Sequence, residues 1–158
     1  TIVNIGSVLW HKGEYEKAKT LLEQGLAIRE KLLGLDHPLV ASSLHNLGNL
    51  YWSQGSYDQA RLVLERALSI REKALGPEHS DVASTLNTLG AIAYKQGNIT
   101  EAGRLWQRTL AIREKILGLD HPELAPTLEK YAGLLRKMNR PGDAAPLKGQ
   151  SETEGMAN

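Results

Sequence analysis

The sequence contains no cysteine, which excludes disulfide frameworks, thiolate metal sites and cysteine nucleophiles. A reducing compartment suits such a chain, and a cytoplasmic setting is the expectation. It also lacks any apolar run near the roughly 18 residues that span a bilayer as a helix. The opening stretch, TIVNIGSVLW, has neither a basic segment nor an initiator methionine. It reads as the interior of a helix rather than a signal peptide, so a piece of a longer array is expected. Charge of one sign is missing too. Nineteen Lys and Arg stand against 18 Asp and Glu, a formal net charge of +1, so no whole-molecule field steers the chain onto nucleic acid or anionic membrane. No HExxH, phosphate-cradling glycine loop or nucleophile elbow is present. The expectation is therefore no catalytic residue, no metal, no cofactor, no nucleic-acid partner and no membrane.

What is present is a chain of 158 residues, 41% hydrophobic with 15 glycines, enough for one ordinary core or a short array of repeats. Slid against itself by 42 residues, the sequence falls into register. Gly6, Gly48 and Gly90 coincide, with Ala132 in the fourth copy; so do Gly13, Gly55 and Gly97, and Gly34, Gly76 and Gly118. Ala18, Ala60, Ala102 and Ala144 form a further row. The segments AIREKLLGLDHP, SIREKALGPEHS and AIREKILGLDHP are one element written three times.

Each unit reads as two helices. Val40, Leu44, Leu47 and Tyr51 recur at steps of three and four residues, one apolar stripe that Gly55 ends. Ser56 and Gln59 then have the spacing of a capping box, with Asn98 and Glu101 a weaker version one copy later. From Tyr57 through Ala60, Leu64, Ala67, Leu68 and Leu75 runs a second stripe, widened by Val63, Ile70 and Ala74, so this helix touches neighbours on two sides. Gly76 stops it. The spacing predicts helices at 1–12, 14–33, 38–54, 57–75, 80–96, 99–117 and 122–139. Pro38 and Pro122 open first helices, where a missing N–H costs nothing. Gly48, Gly90, Ala60 and Ala102 lie on the facing stripes, where small residues let the paired helices approach.

The LHNLGNLY and GSYDQA segments carry a family resemblance. Leu44, Leu47, Gly48, Tyr51, Ala60, Leu64 and Ala67 occupy the offsets of the tetratricopeptide signature. The usual unit has about 34 residues; the longer period here, with REK…LG.DHP in the extension, resembles the kinesin light chain type. The resemblance implies an all-α fold, a right-handed α-solenoid of antiparallel helix pairs. It places the array at residues 1–144 as about three full repeats and a partial one, with residues 145–158 a polar tail, disordered or a degenerate cap. Pro126 stands where Ser42 and Ser84 stand earlier, and is expected to delay or bend its helix.

The same resemblance implies a concave groove lined by the first helix of each pair. Its offsets select Asn4 and Trp10; His45, Asn46, Asn49 and Trp52; Asn87, Tyr94 and Lys95; and Lys130, Arg136 and Lys137. Trp10, Trp52 and Tyr94 share one offset and predict an aromatic ladder, against the alternative that they pack on adjacent helices. Asn46 and Asn49 suit hydrogen bonding to an extended backbone. Lys130, Arg136, Lys137 and Arg140 form a local basic cluster that is either a receptor for acidic side chains or a solvated face. The REK triplets read as outer-face charge with local ion pairs. His37, His79 and His121, one per loop, read as loop packing or caps rather than ligands. Asn98-Ile99-Thr100 matches a glycosylation sequon, and a turn with a helix cap accounts for it. The reading that follows is a non-catalytic scaffold binding a peptide or protein segment in the groove. The alternative is self-assembly through exposed repeat ends, giving a homo-oligomer.

Overall fold

The structure, a computed structural model, describes residues 15–138. The expected helix at 1–12 and the expected tail at 145–158 lie outside these residues. Within them run six α-helices: α1 (Tyr15–Leu33), α2 (Pro38–Ser53), α3 (Tyr57–Leu75), α4 (Ser80–Lys95), α5 (Ile99–Leu117) and α6 (Ala125–Lys137). No strand occurs among the described residues. The predicted boundaries hold within a residue or two except before α6. There Pro122–Leu124 forms a 3-10 turn and the α-helix begins only at Ala125. Pro126 is the reason, since its ring cannot follow a continuous helical turn.

Close packing within a pair follows from the small residues. A methyl group built on Gly48 would lie 2.5 Å from Leu64 Cγ, and one on Gly90 would lie 2.6 Å from Trp106 Nε1. Neither fits, so α2 seats directly on α3 and α4 on α5. Ala60, Ala67 and Ala102 are wholly buried at these seams. The core continues across pairs, because Leu47 and Leu50 share a cluster with Leu22 of α1, Leu64 of α3 and Ile92 of α4. Gly76, which ends α3, has φ +89° and ψ 156°, a region essentially confined to glycine.

The turn inside each pair differs from expectation. Ser56 and Asn98 occupy N-cap positions, but neither side chain makes a capping bond. The tight turn uses the backbone instead: the Ser56 N–H donates to the Tyr51 carbonyl and the Asn98 N–H to the Ala93 carbonyl. Those geometries leave ψ at 65° and 68°, short of the extended value from which a capping hydroxyl or amide reaches the helix end. Caps appear on the other loops. The backbone N–H groups of Leu39, Asp81 and Glu123 donate to Nδ1 of His37, His79 and His121 at 3.1, 3.1 and 3.3 Å. The loop histidines are caps with an unprotonated Nδ1.

The REK triplets also require correction. Their arginines are not an outer face. Arg29, Arg71 and Arg113 each reach forward to the start of the next pair, donating to a carbonyl ten residues on (Leu39, Asp81, Glu123) and a hydroxyl fourteen residues on (Ser43, Thr85, Thr127). Arg71 is only 5% exposed. A planar guanidinium bonds two acceptors from one side, which suits it to clamping helix ends together. The neighbouring charges pair between repeats: Glu30 with Arg66, Glu72 with Arg108, Lys73 with Asp36 and Lys115 with Glu78. These are exposed or half-exposed, worth at most about 1 kcal/mol each.

Candidate peptide-binding surface

The first helices of successive pairs lie beside one another, because each must bury one stripe on its own second helix and another on the pair before. Two contacts fix α6 against α4. Thr127 donates to Asn87 Oδ1 at 3.4 Å, and the Lys137 ammonium sits 4.7 Å from the centre of the Tyr94 ring. The predicted residues divide by what holds them. Asn4 and Trp10 lie outside the described residues.

His45 faces the clamp. Its Nδ1 is 3.3 Å from Arg71 Nη1, and burial first, then the Arg71 charge, brings its pKa down to about 4, with Asp81 opposing. The ring is therefore a neutral acceptor for Arg71. Asn87, one repeat later at the same offset, is engaged similarly. Its backbone carbonyl accepts from the Trp106 indole at 3.2 Å and its amide oxygen from Thr127. Both residues sit in seams between helices.

Asn46 and Asn49 are half-buried on α2, and their amides bond no described residue. Half-buried Trp52 lies across Tyr57 with ring centres 5.2 Å apart, and Tyr94 across Trp106 at 5.7 Å, both tilted. Each ring packs on the second helix of its pair and remains only half-buried. Lys95, Lys130, Arg136 and Lys137 are exposed. Of these cations the structure brings Lys137 onto an aromatic, a contact worth about 0.5–1 kcal/mol at an open site. Sequence reasoning missed Trp106 as the buttress of Tyr94. Its signal was available, since it stands at the offset of Leu64 and faces Gly90 as Leu64 faces Gly48. Among the described residues no three His, Asp or Glu side chains gather to hold a metal. No described helix is long and apolar enough to cross a membrane.

A model of tetratricopeptide repeats matches residues 1–73 and 81–152, and a second model of the same description matches residues 45–115. The chain belongs to the tetratricopeptide repeat family. Among solved structures, the nearly identical TPR-like repeats named for a kinesin light chain of Podosopora anserina superpose with a TM-score of 0.82 at 27% identity, over 92% of this chain and 69% of that one. BtubC (BKLC) from P. vanneervenii gives 0.81 at 24% identity, over 92% of this chain and 60% of that one, a likeness of fold. No curated protein sequence matches the chain. The fold is a helical solenoid of kinesin light chain-like tetratricopeptide repeats. Such repeats generally mediate protein–protein interaction, and the family is typically non-catalytic.

Proposed function

We propose that this tetratricopeptide array, residues 1–144, is a non-catalytic scaffold that binds an extended protein segment along the row of first helices. The observation that carries the reading is on α2, where two asparagine amides without a partner among the described residues lie on the same helix as the half-open ring of Trp52. Amides at half-buried positions bond an extended backbone at little ordering cost, and an anchored aromatic buries large area with few rotors. Tyr94 and Lys137 continue the row, and Lys95, Lys130 and Arg136 give its far end a positive character suited to acidic side chains. His45 and Asn87 belong to this reading as supports of the helices rather than as contacts.

Panning a random peptide display library against the chain tests it, with counter-selection on a Trp52→Ala, Tyr94→Ala double variant of confirmed helicity. Enriched peptides should bind the double variant about thirtyfold or more weaker, the scale of a lost aromatic hot spot. Peptides indifferent to both substitutions would refute the groove. Mass by light scattering that rises with concentration would favour assembly through repeat ends instead.

A further inference from the structure

Repeats at a fixed period allow the same place to be compared in successive copies, and one place is filled in the first and open in the second. In the first copy Tyr51 projects from α2 between α1 and α3. Its hydroxyl donates to Glu23 Oε1 at 3.2 Å and Lys19 Nζ lies 5.7 Å from its ring centre. The ring is buried, 8% exposed, in the cluster that holds Leu47, with Leu26 and Val63 packed against it. Forty-two residues on, five members of that setting recur in kind: Arg61 for Lys19, Glu65 for Glu23, Leu68 for Leu26, Leu89 for Leu47 and Leu105 for Val63. Two members do not: Ala93 stands in place of the tyrosine, and Trp106, packed in one cluster with Ala93, stands in place of Leu64. The structure leaves a depression of about 180 Å³ there, lined by Arg61, Glu65, Leu68, Leu89, Ala93, Glu101 and Leu105.

We propose that this vacated socket is a second binding site, which takes the tyrosine side chain of a partner protein in the place Tyr51 holds in the repeat before. It is separate from the row of first-helix residues around Trp52 and Tyr94, being walled by α3 and α5 with α4 as its floor. The volume suits a phenol ring: an apolar cavity of about 150 Å³ lined by aliphatic side chains stays dry and accepts benzene. Leu68, Leu89 and Leu105 supply the apolar walls. Arg61 stands where Lys19 covers the native ring, and an arginine over an aromatic face is the stronger version of that contact. Glu65 binds Arg61 through one oxygen at 2.7 Å, leaving its second oxygen for a phenolic O–H.

The rim also sets what is refused. Glu65 first, then Glu101 and Asp58, hold the Arg61 guanidinium above its ordinary pKa, so the mouth carries three carboxylates around one cation. A phosphotyrosine meets net negative charge there and is excluded. Basic residues beside the tyrosine are favoured, while phenylalanine fills the walls and leaves Glu65 unused.

The test titrates the isotope-labelled full chain with p-cresol, the tyrosine side-chain analogue, following backbone amide shifts. Shifts should concentrate at Leu68, Leu89, Ala93 and Leu105 and be absent at Trp52 and Lys137. Ala93→Tyr should abolish them by filling the socket from within. Ala93→Leu, which copies Leu135 at the same offset one repeat on, decides the matter if the tyrosine variant fails to fold. A short Lys-Tyr-Lys peptide should bind about tenfold tighter than its phenylalanine version, the scale of one charge-assisted hydrogen bond, and its phosphotyrosine version should not bind. Shifts that persist in the Ala93 variants, that fall at Trp52 and Lys137, or that fail to distinguish tyrosine from phosphotyrosine would overturn the proposal. The Trp52→Ala, Tyr94→Ala variant should retain cresol binding, so this site and the first-helix row stand or fall separately.

Discussion

Replacing Arg71 with alanine asks how much of the solenoid's stability resides in one clamp. The side chain leaves α3, and the two hydrogens of its Nη1 are shared among the Asp81 carbonyl at 2.9 Å, Thr85 Oγ1 at 2.6 Å and His45 Nδ1 at 3.3 Å. Bonds from a charged donor contribute about 1.5–3 kcal/mol each. Against them stands the cost of burying the cation, seen in its lowered pKa, for which burial is the first cause, and in Nε, which is buried without a partner. Thr85 also donates to the Asp81 carbonyl, so that acceptor stays satisfied when the arginine is removed. Offsetting these terms leaves a net loss of about 2–4 kcal/mol for Arg71→Ala. Arg29 and Arg113 are half-buried and make two bonds each, so their alanine variants should lose about 1–2 kcal/mol. Urea denaturation followed by far-ultraviolet circular dichroism measures all three. Arg71→Met, which keeps the apolar stem, separates the fork from the packing of the chain that carries it. An Arg71→Ala loss equal to that of Arg29→Ala would refute the reasoning, because burial and the third acceptor would then contribute nothing.

His45 makes stability depend on pH in a defined window. The unfolded imidazole takes a proton below its ordinary 6.5 while the folded one waits until about 4, so its contribution is complete above 6.5 and is lost as pH falls towards 4. The full loss is about 3 kcal/mol. His45→Asn, copying Asn87, should flatten the denaturation midpoint across that window, whereas parallel curves for parent and variant would exclude His45 as the cause. Gly90→Ala opposes two effects of known sign. Alanine improves helix propensity by about 1 kcal/mol, but its methyl displaces the Trp106 indole from its bond to the Asn87 carbonyl. Overpacking of this kind costs about 1–3 kcal/mol, so a lower melting temperature is expected, and a higher one would mean that the helix pair relaxes freely.

The repeat and its helix pairs were legible because glycines and aliphatic residues recur at constant offsets, and each such position has one structural meaning. Gly48 and Gly90 had to mark close approach, and they do. The REK arginines were misread because a charged triplet near a helix end resembles a solvated face, and burial of a cation depends on partners ten and fourteen residues away. A clue lay in Ser43, Thr85 and Thr127, a hydroxyl at every copy of one offset. The Ser56 capping box failed because the spacing of polar residues does not report ψ. Among the residues selected for the groove, His45 and Asn87, at one offset, lie beside polar half-buried neighbours on a helix wheel. Only the position of Arg71 and Trp106 shows that this offset faces a seam. Trp52 and Tyr94 share an offset by period, while their tilt on Tyr57 and Trp106 depends on the second helix and is invisible to a pattern along one.

The ties between copies have a mechanical consequence. Among the described residues, side-chain bonds join successive repeats over separations of at most 40 residues. Load applied to the two ends is therefore carried in series, as in a coil spring, with every clamp bearing the same force. The array yields first at its weakest link, and the half-exposed clamps of Arg29 and Arg113 are weaker than the buried one of Arg71. Stretching is expected to splay neighbouring first helices and so to widen the spacing between Trp52 and Tyr94. On the proposed reading, a segment bridging them would act as a second strut in parallel, so occupancy would stiffen the coil and tension would weaken binding.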